Sequence, residues 1–166
     1  MPRLFVAVWP PEEVAEELRS LHRKEQRGVR FVPPENWHIT LRFLGESDID
    51  EVAAAIDEAT LVPASARLGP AVDVIEERFL VVPVAGVDEL AHAVVGATRD
   101  LGERPPKRFK GHLTLARLKP WATMPRVLGT LVSAEFEVEE IALVESRLHP
   151  DGARYETLDT WRVPVA

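Results

Sequence analysis

The chain contains no cysteine, which excludes disulfides, iron–sulfur clusters, zinc–thiolate sites and a cysteine nucleophile. It also has no apolar run of transmembrane length, because the N-terminal apolar stretch at 4–9 ends in two prolines and two acids. That stretch lacks the small-residue cleavage site of a signal peptide, so we predict that it forms a first buried strand. We therefore expect a cytoplasmic protein that does not enter a membrane.

Positive charge is outnumbered by negative charge, with 20 lysine and arginine residues against 27 acidic ones. The formal net charge is −7, and only four residues are lysine, namely Lys24, Lys107, Lys110 and Lys119. A protein that coats nucleic acid without sequence preference usually presents a basic face, so general polyanion binding is excluded. If the ligand is a nucleic acid, the contact should be local, at a strand end or at a single phosphate.

The 166 residues, of which 46% are hydrophobic, suit one globular domain spanning residues 1–166. Apolar periodicity predicts alternating strands and helices, with helices opening near residues 12, 48 and 88 and a short fourth helix at 124–133. The pattern divides into two similar parts without a flexible linker. It predicts an α+β fold of two pseudo-symmetric lobes, with antiparallel sheets facing a central cleft and helices outside.

Two segments repeat one pattern, His-Ile-Thr-Leu-Arg at 38–42 and His-Leu-Thr-Leu-Ala-Arg at 112–117. Residues two apart on a strand share a face, so His38, Thr40 and Arg42 should line the cleft together. His112 and Thr114 repeat this arrangement. Arg117 falls out of phase with them and needs a bulge or a twist to reach the same cleft, so its geometry is less favourable than that of Arg42.

Two histidines on facing strands suit in-line displacement at a phosphodiester. One must accept a proton from the attacking oxygen and the other must give a proton to the departing oxygen, and the pKa of histidine lies near working pH. The hydroxyls of Thr40 and Thr114 can donate to the non-bridging phosphate oxygens, and arginine adds bidentate charge. Without a nearby acidic ligand or a third histidine in a matching motif, the pair makes a poor metal site. We expect no metal and no cofactor.

The first triplet lies in a longer segment at 30–46, Arg-Phe-Val-Pro-Pro-Glu-Asn-Trp-His-Ile-Thr-Leu-Arg-Phe-Leu-Gly-Glu. This segment closely resembles the first signature of the RNA 2′,3′-cyclic phosphodiesterases, also called 2′-5′ RNA ligases, in the two-histidine phosphoesterase superfamily. The second triplet resembles their second signature. The N-terminal strand at 4–8 and the segment Glu-Ser-Arg-Leu at 145–148, followed by Gly152 and Tyr155, are also similar to the family.

The resemblance implies a bilobal fold and metal-independent hydrolysis of a 2′,3′-cyclic phosphate at an RNA 3′ end, leaving a 2′-phosphate. His38 would donate a proton to the leaving 3′ oxygen, His112 would accept one from water, and Thr40 and Thr114 would hold the phosphate oxygens. Nucleotide-independent 2′-5′ joining is a further activity of the family. We expect a monomer whose partners are RNA ends, such as those of tRNA fragments.

The segment that leads into His112 departs from the family at Gly111, because proline usually precedes the second histidine there. The basic patch at 107–110 adjoins His112, so Lys110 is a candidate to bind a substrate phosphate. Tyr155 is a candidate for base stacking and Ser146 for the cleft edge. Two other readings stay open: a phosphodiesterase for small cyclic phosphates, such as a cyclic nucleotide or ADP-ribose 1″,2″-cyclic phosphate, and a non-catalytic module that binds RNA ends.

Overall fold

The computed structural model describes residues 1–166 and consists of ten strands and three helices. No helix is both long and apolar enough to span a membrane. The elements follow in the order β1 (Arg3–Val8), α1 (Glu12–Arg19), β2 (Val29–Phe31), β3 (Ile39–Glu46), α2 (Ile49–Asp57), β4 (Ser65–Leu68), β5 (Asp73–Ile75), β6 (Phe79–Ala85), α3 (Asp88–Ala97), β7 (His112–Leu118), β8 (Ala134–Glu137), β9 (Glu140–His149) and β10 (Gly152–Arg162), with a 3₁₀ turn at Pro34–Asn36.

The strands form one antiparallel sheet in the order β10-β9-β1-β3-β7-β6-β4-β8, with β2 also beside β7 and β5 also beside β6. This confirms the predicted α+β class and its two similar halves, since β1 and β3 repeat in the first half what β6 and β7 form in the second. The triplet strands β3 and β7 are immediate neighbours at the centre of the sheet. The triplets therefore lie side by side, not on two separate sheets.

The two halves separate beyond a narrow junction. Strands β3 and β7 share a single pair, Ile39 with Leu113, and further along β7 the same edge pairs with β2, from Val29 opposite Leu118 to Phe31 opposite Ala116. A sheet held together at one pair can open on either side of it. This opening forms the cleft next to the histidines.

The helices bury the apolar stripes that the sequence predicts, including Val14 and Leu18 on α1, Val52 and Ile56 on α2, and Leu90 on α3. Each large side chain that is fully buried contributes about 1.5–3 kcal/mol to stability. Asp48 caps α2 by accepting a hydrogen bond from the backbone N–H of Glu51 at 3.0 Å, which confirms the predicted helix start.

The predicted helix at 124–133 is wrong, since these residues form turns and one bridge. Their backbone groups pair with a neighbouring segment and are not available to a helix. The N–H of Gly129 donates to the carbonyl of Val72, and the N–H of Val72 donates to the carbonyl of Thr130. The N–H of Val132 donates to the carbonyl of Pro70. Val127 and Val132 are buried in this arrangement without any helix.

Candidate active site

The two histidines are held in the same way. The Nδ1 atom of His38 lies 2.7 Å from the carbonyl oxygen of Asn36, and the Nδ1 atom of His112 lies 2.7 Å from that of Lys110. A carbonyl oxygen can only accept, so Nδ1 must carry the proton in each ring. This fixes the neutral tautomer and leaves Nε2 of each histidine as the nitrogen available to a substrate.

The register of β3 and β7 brings the four residues of the triplets together. Because Ile39 pairs with Leu113, the antiparallel register sets His38 opposite Thr114 and Thr40 opposite His112. Both residues of the central pair are fully buried, so the triplet side chains lie on the opposite face. These four positions form the corners of a rectangle across the two strands. The histidines occupy one diagonal of this rectangle and the threonines the other.

Aromatic rings surround His38. Its ring centroid lies 4.8 Å from that of Phe5, 5.3 Å from that of Tyr155 and 5.6 Å from that of Trp9. Burial among these rings lowers the pKa of His38, and the charge of His112 lowers it further, against the raising effect of the bond to Asn36. Phe5 and Trp9 were absent from the predicted site, because only the pairing of β1 with β3 brings them to His38.

A β-bulge follows the threonine of the first triplet. Ala7 pairs with Thr40 and Val6 with Arg42, so Leu41 has no partner on β1. A bulge reverses the alternation of side chains beyond it. As a result Phe43 is 43% exposed, whereas Arg42 is turned inward.

Arg42 does not share the face of His38 and Thr40, and this corrects the predicted alternation. Its side chain is 2% exposed, and each of its five N–H groups donates to the protein. The acceptors are the carbonyls of Phe43, Thr98, Leu101 and Glu103 and the hydroxyl of Thr98, at 2.7–3.3 Å. Burial lowers the pKa of Arg42. No donor is left for a phosphate, so Arg42 fastens the chain at 98–103 to β3.

The second triplet has the matching bulge. Val81 pairs with Thr114 and Leu80 with Ala116, which leaves Leu115 without a partner on β6. The reversal returns Arg117 to the face of the triplet, where it is exposed, while Ala116 is fully buried. The bulge that Arg117 needs is therefore present. Arg117, and not Arg42, shares the face of its triplet, which is the reverse of the prediction.

Arg117 lies near two aromatic residues, Phe79 and Tyr155. Its guanidinium carbon is 5.9 Å from the ring centroid of Phe79, and its charge acts on Tyr155. Burial raises the pKa of the Tyr155 phenol, and the charge of Arg117 opposes this effect. Arg117 is therefore a cation of the second half that lies close to the aromatic residues around His38.

The remaining candidates lie around this centre. Ser146 on β9 is half-buried and pairs with both Arg3 and Tyr155, at the edge of the aromatic cluster. The Lys110 side chain is exposed, while its carbonyl orients His112. Trp37, the residue before His38, is 1% exposed and faces the core.

Gly111 replaces the usual proline for a geometric reason. A Cβ at this position would lie 2.3 Å from the carbonyl oxygen of Val84, whose N–H donates to the carbonyl of Gly111 at 3.0 Å. Any side chain there would displace β6 from the start of β7. The glycine therefore holds the second histidine strand close to its neighbour.

A cavity of about 980 Å³ opens beside the triplets. Thr40, Phe43 and His112 line one end, and the segment 99–110 forms much of the remaining wall. This segment, here called the basic loop, begins next to the residues bonded by Arg42 and ends at the carbonyl that holds His112. The sequence indicated its last four residues, but not the cavity.

The chain is similar to known proteins over most of its length. The family model described as LigT like Phosphoesterase matches residues 8–68. An RNA 2′,3′-cyclic phosphodiesterase of Thermus thermophilus is 39% identical over 95% of this chain and 88% of its own length. Another, from Archaeoglobus fulgidus, is 32% identical over 94% of this chain and 97% of its own.

Solved structures share the fold. A crystal structure of a Thermus thermophilus protein matches 97% of both chains with a TM-score of 0.77 and 33% identity. That of E. coli LigT with 3′-AMP matches 98% of both chains with a TM-score of 0.79 and 24% identity. Because two relatives match nearly the whole chain at 39% and 32% identity, the chain belongs to the LigT-like phosphoesterases, the family of the RNA 2′,3′-cyclic phosphodiesterases.

Proposed function

We propose that this enzyme hydrolyses the 2′,3′-cyclic phosphate at an RNA 3′ end to a 2′-phosphate, with His38 as proton donor and His112 as proton acceptor. The observation that carries the proposal is the diagonal placement of the two histidines across β3 and β7, each with Nδ1 bonded to a backbone carbonyl. Two Nε2 atoms on either side of one phosphorus match the two ends of an in-line displacement.

The proton balance of the step is simple. Nε2 of His112 takes a proton from water, and the water oxygen forms a bond to phosphorus. The bond from phosphorus to the 3′ oxygen breaks, and Nε2–H of His38 gives its proton to that oxygen. The ribose then carries a free 3′ hydroxyl and a 2′-phosphate, and the two histidines have exchanged protonation states.

His38 must be protonated at the start of this step, although its surroundings lower its pKa. The substrate itself can supply the correction, since an anion within about 4–6 Å favours the charged form of a histidine. Binding of the cyclic phosphate between the triplets would therefore protonate His38 where it is needed. In the free enzyme, the rings of Phe5, Trp9 and Tyr155 around His38 favour its neutral form.

Charge that develops on the phosphate needs donors. Thr40 and Thr114, on the other diagonal, can donate to its non-bridging oxygens, and Arg117 can add a bidentate cation. Tyr155, Ser146 and Lys110 would contact the ribose, the base or a neighbouring phosphate from the rim. We assign Arg42 a positioning role, because its five donors are all used within the protein.

Product analysis tests the proposal. An oligonucleotide with a 2′,3′-cyclic end is incubated with the enzyme in the presence of a metal chelator. A cyclic mononucleotide and ADP-ribose 1″,2″-cyclic phosphate are tested as separate substrates under the same conditions. The expected result is conversion of the oligonucleotide to the 2′-phosphate. His38→Ala and His112→Ala should each lower kcat by about 10²–10⁴-fold, as expected for loss of a general acid or base.

A 3′-phosphate product would contradict the departure of the 3′ oxygen. Near-native activity in either histidine variant would contradict the paired mechanism, and binding without any product would favour the non-catalytic reading. A 5′-hydroxyl RNA added to the same reaction tests for 2′-5′ joining, in which that hydroxyl replaces water. A monomeric state, a cytoplasmic location and tRNA fragments as substrates stay predictions.

A further inference from the structure

The cavity beside His112 has the charge of a nucleic-acid site in an otherwise acidic protein. Its wall carries Arg99, Arg104, Lys107, Arg108 and Lys110 against two acids, Glu76 and Asp100, whereas the whole chain has a formal net charge of −7. All five of these cations lie on the basic loop, and all five are exposed. None forms a salt bridge or a side-chain hydrogen bond within the protein, so their charges are free for a ligand.

The basic loop is anchored at both ends. Arg42 bonds the carbonyls of Thr98, Leu101 and Glu103 at its beginning. Phe109 packs against the hydrophobic core near its end, one residue before the carbonyl that orients His112. Because the loop is fixed to the same two strands that carry the triplets, its cations are held in a defined position relative to the reacting phosphate.

Aromatic surface lies between these cations and the triplets. Phe43 is 43% exposed at the end of the cavity near Thr40, and Phe109 lines the wall. Single-stranded nucleic acids bind to grooves that combine cations for the backbone with aromatic rings for the bases. The cavity shares Thr40 and His112 with the reaction centre, so a strand whose end is bound there can continue into it.

We propose that this cavity binds the backbone phosphates of the RNA strand that carries the cyclic end, and thereby makes the enzyme prefer an oligonucleotide to a cyclic mononucleotide. The inference rests on the proposed function and extends it from the reacting phosphate to the preceding nucleotides. Sequence-independent phosphate contact also explains how an acidic protein can bind RNA, since the cations are concentrated at one local site.

A matched pair of triple variants tests the proposal. The test variant carries Arg104→Gln, Lys107→Gln and Arg108→Gln. The control carries Arg67→Gln, Arg126→Gln and Arg162→Gln, which are exposed and lie outside the cavity. Both variants change the net charge equally. The substrates are 2′,3′-cyclic AMP and an RNA octamer with a 2′,3′-cyclic end, and kcat/KM is measured over a range of salt concentrations.

For the octamer, kcat/KM of the test variant should fall by about tenfold or more at low salt, chiefly through KM. Its salt dependence should weaken by about 2 in log–log slope, since each contact with a single strand contributes about 0.7. Activity on 2′,3′-cyclic AMP should change less than about twofold, and the control should resemble the wild type on both substrates. An equal fall on both substrates, or the same loss in the control, would overturn the proposal.

Direct binding separates failure of this inference from failure of the proposed function. A fluorescent RNA octamer ending in a 3′-phosphate, which cannot be hydrolysed by this reaction, is titrated with each protein. If the wild type cleaves neither substrate, the proposed function is wrong, but weaker binding by the test variant alone still supports the cavity. Equal binding by the wild type and both variants would contradict the cavity whatever the activity.

Discussion

The two halves of the molecule place a histidine on the same backbone and give it different surroundings. In the first half, His38 lies among Phe5, Trp9 and Tyr155, and burial lowers its pKa. In the second half, His112 follows the basic loop and lines an open cavity. The tautomer is set in the same way on both sides, by a carbonyl two residues earlier. The backbone repeat thus supplies two equivalent nitrogens, and the side chains around them make the halves unequal.

The two β-bulges also make the halves differ, because they give the arginine of each half a different position. Each one follows the threonine of a triplet and brings two positions into correspondence, Arg42 with Ala116 on the buried side and Phe43 with Arg117 on the cleft side. The first half therefore uses its arginine to hold a loop, while the second presents its arginine to the cleft. Equivalent backbone positions can be exchanged or removed one at a time to test this assignment.

The largest effect is expected at the cleft positions. Arg117→Ala should lower kcat/KM by about a hundredfold, comparable to loss of one preorganised donor to a developing anion. Phe43→Ala at the equivalent position of the first half should lower hydrolysis of 2′,3′-cyclic AMP less than about threefold. Steady-state kinetics with this small substrate compare the two directly. Similar losses in both variants would mean that the halves are not specialised as the bulges indicate.

A smaller effect on activity and a larger one on stability are expected at the buried positions. Arg42→Met removes donors from four carbonyls and a hydroxyl, and should lower the free energy of unfolding by about 3 kcal/mol. Arg117→Met, on the exposed side, should change it by less than about 0.5 kcal/mol. Urea denaturation measures both. If Arg117→Met were the less stable variant, Arg42 would not be the residue that holds the basic loop.

Much of this arrangement could be predicted from sequence, because the triplets carry their own periodicity. Alternation at 38–40 and 112–114 placed Ile39 and Leu113 in the core and the histidines on the opposite face. The helix stripes likewise follow from local spacing. The resemblance of the segment at 30–46 to a family signature added the expected chemistry.

What could not be predicted depends on pairing between distant strands. A bulge arises from the register of two strands, and nothing within residues 38–43 shows that β1 skips Leu41. The prediction for Arg42 failed for this reason. The aromatic residues around His38 come from β1, the segment after it and β10, which only the sheet order brings together. In the same way, the segment at 124–133 was predicted to open a helix at Met124 and Pro125, but its backbone pairs with 70–72.

The smallest predicted effect tests the difference between the histidines themselves. Burial lowers the pKa of His38, so below about 6.5, the usual histidine pKa, the unfolded chain binds more protons at this residue than the folded one does. The stability associated with His38 is therefore complete above that pH and declines as the pH falls towards the lowered pKa. Urea unfolding of the wild type between pH 5 and 8 should show this contribution as stability that rises with pH up to about 6.5 and levels off above it.

His38→Gln should flatten that rise, because it removes the group that resists protonation in the folded state. His112→Gln is the matched control from the second half. It removes only the neighbouring charge, which is a smaller cause of the lowered pKa than burial, so most of the rise should remain. If both variants flattened the rise equally, charge repulsion between the histidines would outweigh the aromatic surroundings. The inequality of the two halves would then come from the pair of histidines and not from their separate environments.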